Sequence, residues 1–225
     1  MSSLITKVNR SYGKYFLLGI DFAFIAVNMV RDRIDFLGSK DLLAISKDGG
    51  YAEQFQYIQL AAIILLLCLL AKAKKSVLIG GWAVVFLILL ADDQLRIHEV
   101  LGGRLAEWLS LQPMFNLRAK DFGELMVFSL WGVISVAILA VTGWIDRSAI
   151  AKQISKGLLL SLLGLAFFGG FFDMLHIAVQ NAWSLSGIYE DLVNVTFDTV
   201  EDGGEMIVVS LALWFVYKKF RLLVR

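Results

Sequence analysis

Ionisable side chains recur at helical spacing within apolar stretches of this chain. One such stretch comes directly after the apolar run WAVVFLILL. It reads DDQLRIHE and contains Asp92, Asp93, His98 and Glu99. Carboxylates and imidazole are the ligands by which proteins hold Zn, Fe and Mn. A carboxylate that does not bind the metal can serve as a general base. These residue types therefore predict a divalent metal ion of the Zn, Fe or Mn class.

A second stretch, FFDMLHIAVQ, places Asp173, His176 and Gln180 on one helical face. Phe171 and Phe172 precede them, so the stretch differs from an ordinary solvated helix end. A buried ionisable group must pair, bind a metal or line a water-filled cavity. The spacing is consistent both with one interhelical hydrogen-bonded pair and with a functional site.

Three further apolar stretches begin with acids, and each of these acids shares a helical face with other polar side chains of its own stretch. These acids are Glu53, Asp121 with Glu124, and the group Asp198, Glu201, Asp202 and Glu205. The helix dipole alone can explain an acid in a first turn, but Glu205 lies a full turn deeper. Acids at one depth on five helices favour a shared cavity over independent pairs. Gly169–Gly170 and Gly203–Gly204 would let helices approach closely there.

We assign roles within this predicted site from side-chain chemistry. The predicted metal ligands are His98, Glu99, Asp173, His176 and Glu205. The predicted catalytic carboxylates are Asp92, Asp93, Glu124 and Glu201. On one straight helix Asp92, Arg96 and Glu99 would form a stripe, with Arg96 neutralising its neighbours. His98 and Asp93 would then point about 140° apart, so both could reach one site only if the helix were distorted.

The elements that must position these residues are transmembrane helices. The chain has 225 residues, of which 58% are hydrophobic, and its mean hydropathy is +0.72. Charged residues make up 18%, against about 25% in a typical soluble domain. A span needs roughly 20 apolar residues. The predicted fold is an all-α bundle of six transmembrane helices forming a single integral membrane domain over residues 1–225, with spans at about 15–36, 54–72, 76–101, 120–144, 157–180 and 197–217.

The distribution of charge orients this bundle. Thirteen lysines and arginines lie at the two termini and in the turns after the second and fourth spans, whereas eighteen of the twenty acids lie at the opposite end. By the positive-inside rule, both termini are cytoplasmic. The predicted location is a bacterial inner membrane, with the acidic site facing the periplasm. Residues 102–119 suit a short helix at the membrane interface, with Trp108 as an anchor.

Three stretches, GGYAEQFQYIQ, DDQLRIHE and EDGGEM, carry a family resemblance. They resemble an uncharacterised group of small bacterial polytopic membrane proteins. Those proteins combine a paired-acid element ending in His-Glu with an E-[DE]-x2-E-M element, around a similar order of spans. The resemblance implies that the members of the two elements act together, namely Asp92, Asp93, His98, Glu99, Glu201, Asp202 and Glu205. It carries no activity with it.

Three functions remain open on these observations. The first is a metal-dependent, hydrolase-like membrane enzyme acting on a lipid or lipid-linked substrate. The second is a cation or proton translocator, which would need polar groups continuing to the cytoplasmic side; the sequence offers few, such as Asp21, Ser161 and Ser210. The third is a sensor or scaffold subunit. The predicted partners are membrane lipid and either a second copy or another membrane subunit. The sequence has no basic patch that alternates with aromatic residues, so it does not indicate nucleic acid as a partner.

Overall fold

The computed structural model describes residues 12–30, 40–183 and 187–224, and its regular elements there are all helices. Eight α-helices are joined by short connections, with a 3₁₀ turn at Lys40–Leu43 and a π-helical segment at Ala166–Phe172. The α-helices are α1 (Tyr12–Val30), α2 (Tyr51–Lys74), α3 (Val77–Gln94), α4 (Ile97–Trp108), α5 (Ala119–Ile145), α6 (Ala149–Leu165), α7 (Asp173–Trp183) and α8 (Ile188–Leu223).

Five helical stretches in the described part of the chain are long and apolar enough to cross a membrane. They are α1, α2, α3, α5 and the continuous run Ala149–Trp183 formed by α6, the π segment and α7. The predicted all-helical fold is therefore confirmed, and these long apolar helices support a membrane protein. The predicted sixth span, 197–217, lies within α8 and stays a prediction, as do the positions of the termini. The predicted end of the first span, 31–36, and the basic residues Lys7, Arg10 and Arg225 lie outside the described residues.

Helix α8 lies at the centre of the bundle, where it packs against α1, α2 and α6. Its residues Val209 and Val216 are fully buried in an apolar core, together with Ile63 and Leu67 of α2 and Ile154 of α6. This core fills the half of the bundle toward the basic turns. It holds the helices together there and leaves the acids to the opposite half.

One carboxylate fastens two turns at the basic end of the bundle. Asp146, just after α5, accepts hydrogen bonds from the Ser76 hydroxyl at the start of α3 and from the backbone N–H groups of Leu78 and Ser148. These hydrogen bonds, led by that from Ser76, hold the pKa of Asp146 below its ordinary value of 3.8. The turn between α2 and α3 and the turn between α5 and α6 are thereby tied to each other.

The predicted third span, 76–101, is wrong as a single helix. Helix α3 ends at Gln94, and α4 begins at Ile97 after Arg96 adopts a left-handed conformation with φ 52°. The Asp92 carboxylate accepts the backbone N–H of His98 at 2.9 Å, so a side chain takes over a donor that helical hydrogen bonding would otherwise use. The predicted stripe of Asp92, Arg96 and Glu99 is therefore broken.

Helix α4 folds back along the first half of α5 instead of lying apart from the bundle. The two backbones touch at Gly102 and Gly123, where a Cβ on Gly123 would lie 2.0 Å from the Gly102 carbonyl oxygen. Only glycine at both positions allows this approach. The predicted short helix within 102–119 is therefore part of a longer one, and Trp108 is its exposed last residue.

Candidate functional site

The break between α3 and α4 brings Asp92 and His98 into direct contact. Besides the His98 backbone N–H, the Asp92 carboxylate lies 2.9 Å from the His98 Nδ1 atom and accepts the Trp131 indole N–H from α5 at 2.9 Å. The His98 ring also stacks on Phe128 at 4.6 Å between ring centroids. Asp92 thus fixes the orientation of the imidazole, and the other ring nitrogen, Nε2, has no hydrogen-bond partner among the described residues.

His98 lies in the first turn of α4, which is not among the candidate membrane-spanning helices, and its pKa is raised above 6.5. Burial by itself would lower the pKa, but the hydrogen bond and the negative charge of Asp92 outweigh burial, with smaller contributions from Glu124 and Glu99. The imidazole is therefore poised to carry a proton near neutral pH.

Five carboxylates surround a small cavity at the acidic end of the bundle. This acidic cavity has a volume of about 100 Å³, enough for a few waters or one partly hydrated ion. It is formed by the loop before α2 together with α2, α3 and α8. The polar side chains lining it are Ser46, Lys47, Asp48, Glu53, Gln56, Asp93, Asp202 and Glu205. The lining residues thus include five acids and a single basic residue, Lys47.

Glu205 lies where α8 meets the π-helical segment. A Cβ added to Gly169 would fall 1.7 Å from Glu205 Oε1, so the carboxylate rests directly on the backbone of this glycine. The other oxygen, Oε2, accepts the Gln56 amide at 3.2 Å. Gly204 likewise admits the ring of Phe168. The predicted close approach is confirmed at Gly169 and Gly204, whereas Gly170 faces open space.

Two predicted site residues are neutralised by basic neighbours. Arg96 forms a two-pronged ion pair with Glu99, at 2.8 Å for each nitrogen, and reaches Asp48 at 3.1 Å. Lys120 pairs with Glu124 at 3.0 Å and approaches Glu99 at 3.8 Å. The prediction that Arg96 neutralises adjacent acids is confirmed for Glu99. Both acids are held in ion pairs away from the acidic cavity.

His176 belongs to a separate polar group, the His176 cluster, which also contains Gln180, Asn194 and Asp198. Its Nε2 atom lies 2.9 Å from the Gln180 amide nitrogen and 3.2 Å from Asn194 Oδ1, and its Nδ1 atom lies 3.8 Å from Asp198. The ring stacks on Phe197 at 4.9 Å. Both ring nitrogens therefore face polar neighbours, as in the predicted interhelical pair. The shared face of His176 and Gln180 is confirmed.

Asp173 and Glu201 are coupled by charge to residues of the other groups. Asp173 interacts electrostatically with Glu124 and with both histidines, and Glu201 interacts with Asp173 and Glu205. Glu205 in turn interacts with Asp93 and His98. The predicted residues thus share one electrostatic network at one end of the bundle. Direct contacts divide that network into the acidic cavity, the Asp92–His98 pair and the His176 cluster.

The side chains do not converge as a preformed metal centre. Within residues 12–30, 40–183 and 187–224, no group of three or more His, Cys, Asp or Glu side chains stands in position to hold a metal ion. Of the nine predicted site residues, Asp93 and Glu205 line the acidic cavity. Its other carboxylates are Asp48, Glu53 and Asp202. The face shared by Asp202 and Glu205 and the helix-start position of Glu53 pointed to two of these. Asp48 lies in a loop, where no periodicity marks it.

Comparison with known proteins places the chain in an uncharacterised group. A family model described as Domain of unknown function (DUF8692) matches residues 16–218. No curated protein and no solved structure matches the chain. The matched region includes every residue of the acidic cavity and both histidine clusters.

Proposed function

We propose that this chain, which belongs to the DUF8692 family, is a membrane protein that binds a hard divalent cation in the acidic cavity. The observation that carries the proposal is the lining of five carboxylates around one lysine. Five carboxylates lining one cavity of about 100 Å³ cannot all stay ionised unless protons or cations neutralise them. Lys47, and Arg96 through its ion pair with Asp48, offset at most two of these five charges.

The composition of the lining selects the type of cation. The polar side chains around the cavity offer oxygen and amide groups, and neither histidine is among them. Oxygen ligands suit Mg²⁺, Mn²⁺ and Ca²⁺, whereas Zn²⁺ and Fe²⁺ sites usually include imidazole or thiolate. Mn²⁺ is therefore the best match within the Zn, Fe and Mn class.

The spacing of the carboxylates favours an ion that keeps part of its water. Mg²⁺-like ions dehydrate reluctantly and are commonly held by one or two carboxylates while other positions remain hydrated. Such binding needs no triad of converging ligands and fits a cavity of about 100 Å³. Glu205 is the natural anchor, because Gly169 and Gln56 already fix its two oxygens.

Below the cavity the apolar core favours binding over free conduction. From Ile63 to Leu70 on α2, and from Ala212 to Val216 on α8, the inward-facing positions are apolar and almost fully buried. An ion that enters from the acidic end meets this seal before it reaches the basic turns. A translocator would have to open the core in a second conformation.

Catalysis is the second candidate, and the Asp92–His98 pair favours it. A carboxylate that holds one ring nitrogen sets the imidazole tautomer and leaves the other nitrogen available as a general base. His98 interacts electrostatically with Glu205, so a water molecule bound to the cation could be its target. Hydrolysis of a lipid or lipid-linked substrate in reconstituted vesicles, lost in His98→Gln, would support this role. Equal turnover by both proteins would remove it.

Manganese titration of the purified protein tests the cation site. Protein freed of metal by a chelator is titrated with Mn²⁺, and the free ion is followed by its electron paramagnetic resonance signal. Wild type should bind Mn²⁺, and Glu205→Gln and Asp93→Asn should each weaken binding by about tenfold or more, since each removes one charge from the lining. Asp191→Asn is the matched control, because Asp191 is an exposed acid on the same helix.

Equal Mn²⁺ binding by all of these proteins would contradict the proposal. If wild type and Glu205→Gln bind Mn²⁺ with the same weak affinity as Asp191→Asn, the cavity is not a cation site. If wild type does bind Mn²⁺, competition by Mg²⁺ and Ca²⁺ on the same samples ranks the affinities of the three cations.

A further inference from the structure

A second polar cluster lies deeper in the bundle, on the core side of the acidic cavity. Three buried side-chain oxygens lack a hydrogen-bond partner within the described residues, and all three belong to Asp21 of α1 and Gln59 of α2. Asp21 is fully buried and Gln59 is 2% exposed. The Gln59 amide donates to the Ser210 hydroxyl of α8 at 2.7 Å. Ser210 is also the polar neighbour of Asp21, although their geometry falls short of a hydrogen bond.

Among the residues that the structure describes, this cluster gathers acceptors and includes no positively charged side chain. The nearest charged groups on the same three helices are Lys14, Glu53, Glu205 and Lys218. They lie between five and eight residues from Asp21, Gln59 or Ser210 along their helices, which is about 8 to 12 Å. None of them is a significant electrostatic neighbour of Asp21. A carboxylate in the middle of a span costs roughly 2.5–3.5 kcal/mol to insert, so a partner is needed.

The missing partner must carry a positive charge and satisfy several oxygens. A water molecule could donate to two of them but would leave the Asp21 charge in place. A single proton on one Asp21 oxygen would neutralise the charge and could be donated to a second acceptor, but it would leave the third oxygen without a partner. A small monovalent cation does both, because oxygen atoms are the ligands that hard cations prefer. One carboxylate matches one unit of charge.

We propose that Asp21, Gln59 and Ser210 form a binding site for Na⁺, held by side-chain oxygens from three helices. Its ligands are the two Asp21 oxygens, Gln59 Oε1 and Ser210 Oγ, and any remaining positions are filled by water or backbone carbonyls. This site shares no residue with the acidic cavity and does not depend on the divalent cation proposed there. Binding fastens α1 to α2 and α8.

Thermal unfolding in different salts tests the site. The purified full-length protein is unfolded at pH 8 and at equal ionic strength in NaCl, KCl or choline chloride. Na⁺ should raise Tm by about 5 °C or more at a hundred times its dissociation constant, since a ligand that binds only the folded state stabilises it. KCl and choline chloride should have much smaller effects.

Two pairs of variants locate the effect. Asp21→Asn should abolish the Na⁺-dependent shift, whereas Asp191→Asn, which removes an exposed acid of α8, should retain it. Ser210→Ala should raise the Na⁺ concentration needed for half of the shift by about tenfold, the scale of one lost ligand contact. The control for it is Ser161→Ala, because the Ser161 hydroxyl bonds only to the Gly157 carbonyl of its own helix. If Asp21→Asn is not produced in folded form, the serine pair decides.

Three outcomes overturn the proposal. The first is equal stabilisation by the three salts, and the second is a Na⁺ shift that persists in Asp21→Asn. The third is stabilisation by lowering the pH with no Na⁺ effect at any pH, which identifies a proton at Asp21 instead. Loss of Mn²⁺ binding in Glu205→Gln with an intact Na⁺ shift separates this site from the acidic cavity.

Discussion

The Asp92 carboxylate lies 2.9 Å from both the backbone nitrogen and the imidazole Nδ1 of His98, across the break between α3 and α4. One side chain thus terminates the first helix, starts the second and orients the histidine. Since its Oδ1 atom also accepts the indole N–H of Trp131, the carboxylate links three segments of the chain.

Replacing Asp92 by Asn should lower the pKa of His98. Burial then acts on the imidazole without the opposing charge that Asp92 provides. The chain has two histidines, so the C2–H resonances can be titrated by NMR and assigned with a His98→Gln variant. An unchanged titration midpoint in Asp92→Asn would show that the pair does not determine the protonation of His98.

The same pair should make stability depend on pH. Because the folded pKa of His98 is raised above 6.5, its stabilisation is fully present below pH 6.5 and is lost as the pH rises through the folded value. The difference in Tm between wild type and Asp92→Asn should therefore shrink toward alkaline pH. A difference that stays constant from pH 5 to pH 9 would mean that the charge on His98 contributes nothing.

Asp146 should give a pH dependence of the opposite sign. Its folded pKa lies below 3.8, so its stabilisation is present above pH 3.8 and is lost as the pH falls through the depressed value. Asp146→Asn should lower Tm at neutral pH and flatten the acid limb of a plot of Tm against pH. Asp191→Asn serves as the control, and a limb as steep in Asp146→Asn as in that control contradicts the role of the turn.

Adding one methyl group at Gly169 should disable the acidic cavity. The new Cβ would overlap Glu205 Oε1 at 1.7 Å, so the carboxylate must leave the Gly169 backbone. We expect Gly169→Ala to weaken Mn²⁺ binding and to cost less stability than a clash with backbone atoms would, because the end of a flexible side chain can move aside. Gly170→Ala, one residue away, meets nothing within 4 Å and should change neither property. Equal behaviour of the two variants would argue against this packing.

Gly123→Ala should separate α4 from α5. Its Cβ would lie 2.0 Å from the Gly102 carbonyl oxygen, and a backbone atom cannot move aside as a flexible side chain can. We expect a loss of about 1–3 kcal/mol or more in the free energy of unfolding, and faster proteolysis in the connection between α4 and α5. Gly132→Ala on the same helix has open space around the new methyl group and is the control. Identical proteolysis of the two variants would rule out the predicted separation.

Hydropathy located the helices because burial in lipid requires about 20 apolar residues regardless of tertiary contacts. It did not reveal the break at Leu95–Arg96, since that depends on Asp92 competing for a backbone donor. Helical periodicity correctly predicted that His176 and Gln180 share a face. It also predicted that Glu205 lies one turn deeper along its helix than the acids of the first turn. It could not rank the acids, because the ion pairs of Glu99 and Glu124 involve Arg96 and Lys120, whose long side chains can reach several partners.

The π-helical segment sets the rotational phase of the helix that follows it. A π turn holds one residue more than an α turn, so Ala166–Phe172 turns α7 relative to α6 without bending the chain away from the bundle. Deleting one residue, such as Phe171, would restore α-helical geometry and rotate everything beyond it by about 100°. Asp173 would swing away from its charged neighbours, and His176 would leave Asn194. The angular register between the two halves of this span is thus encoded in a single inserted residue.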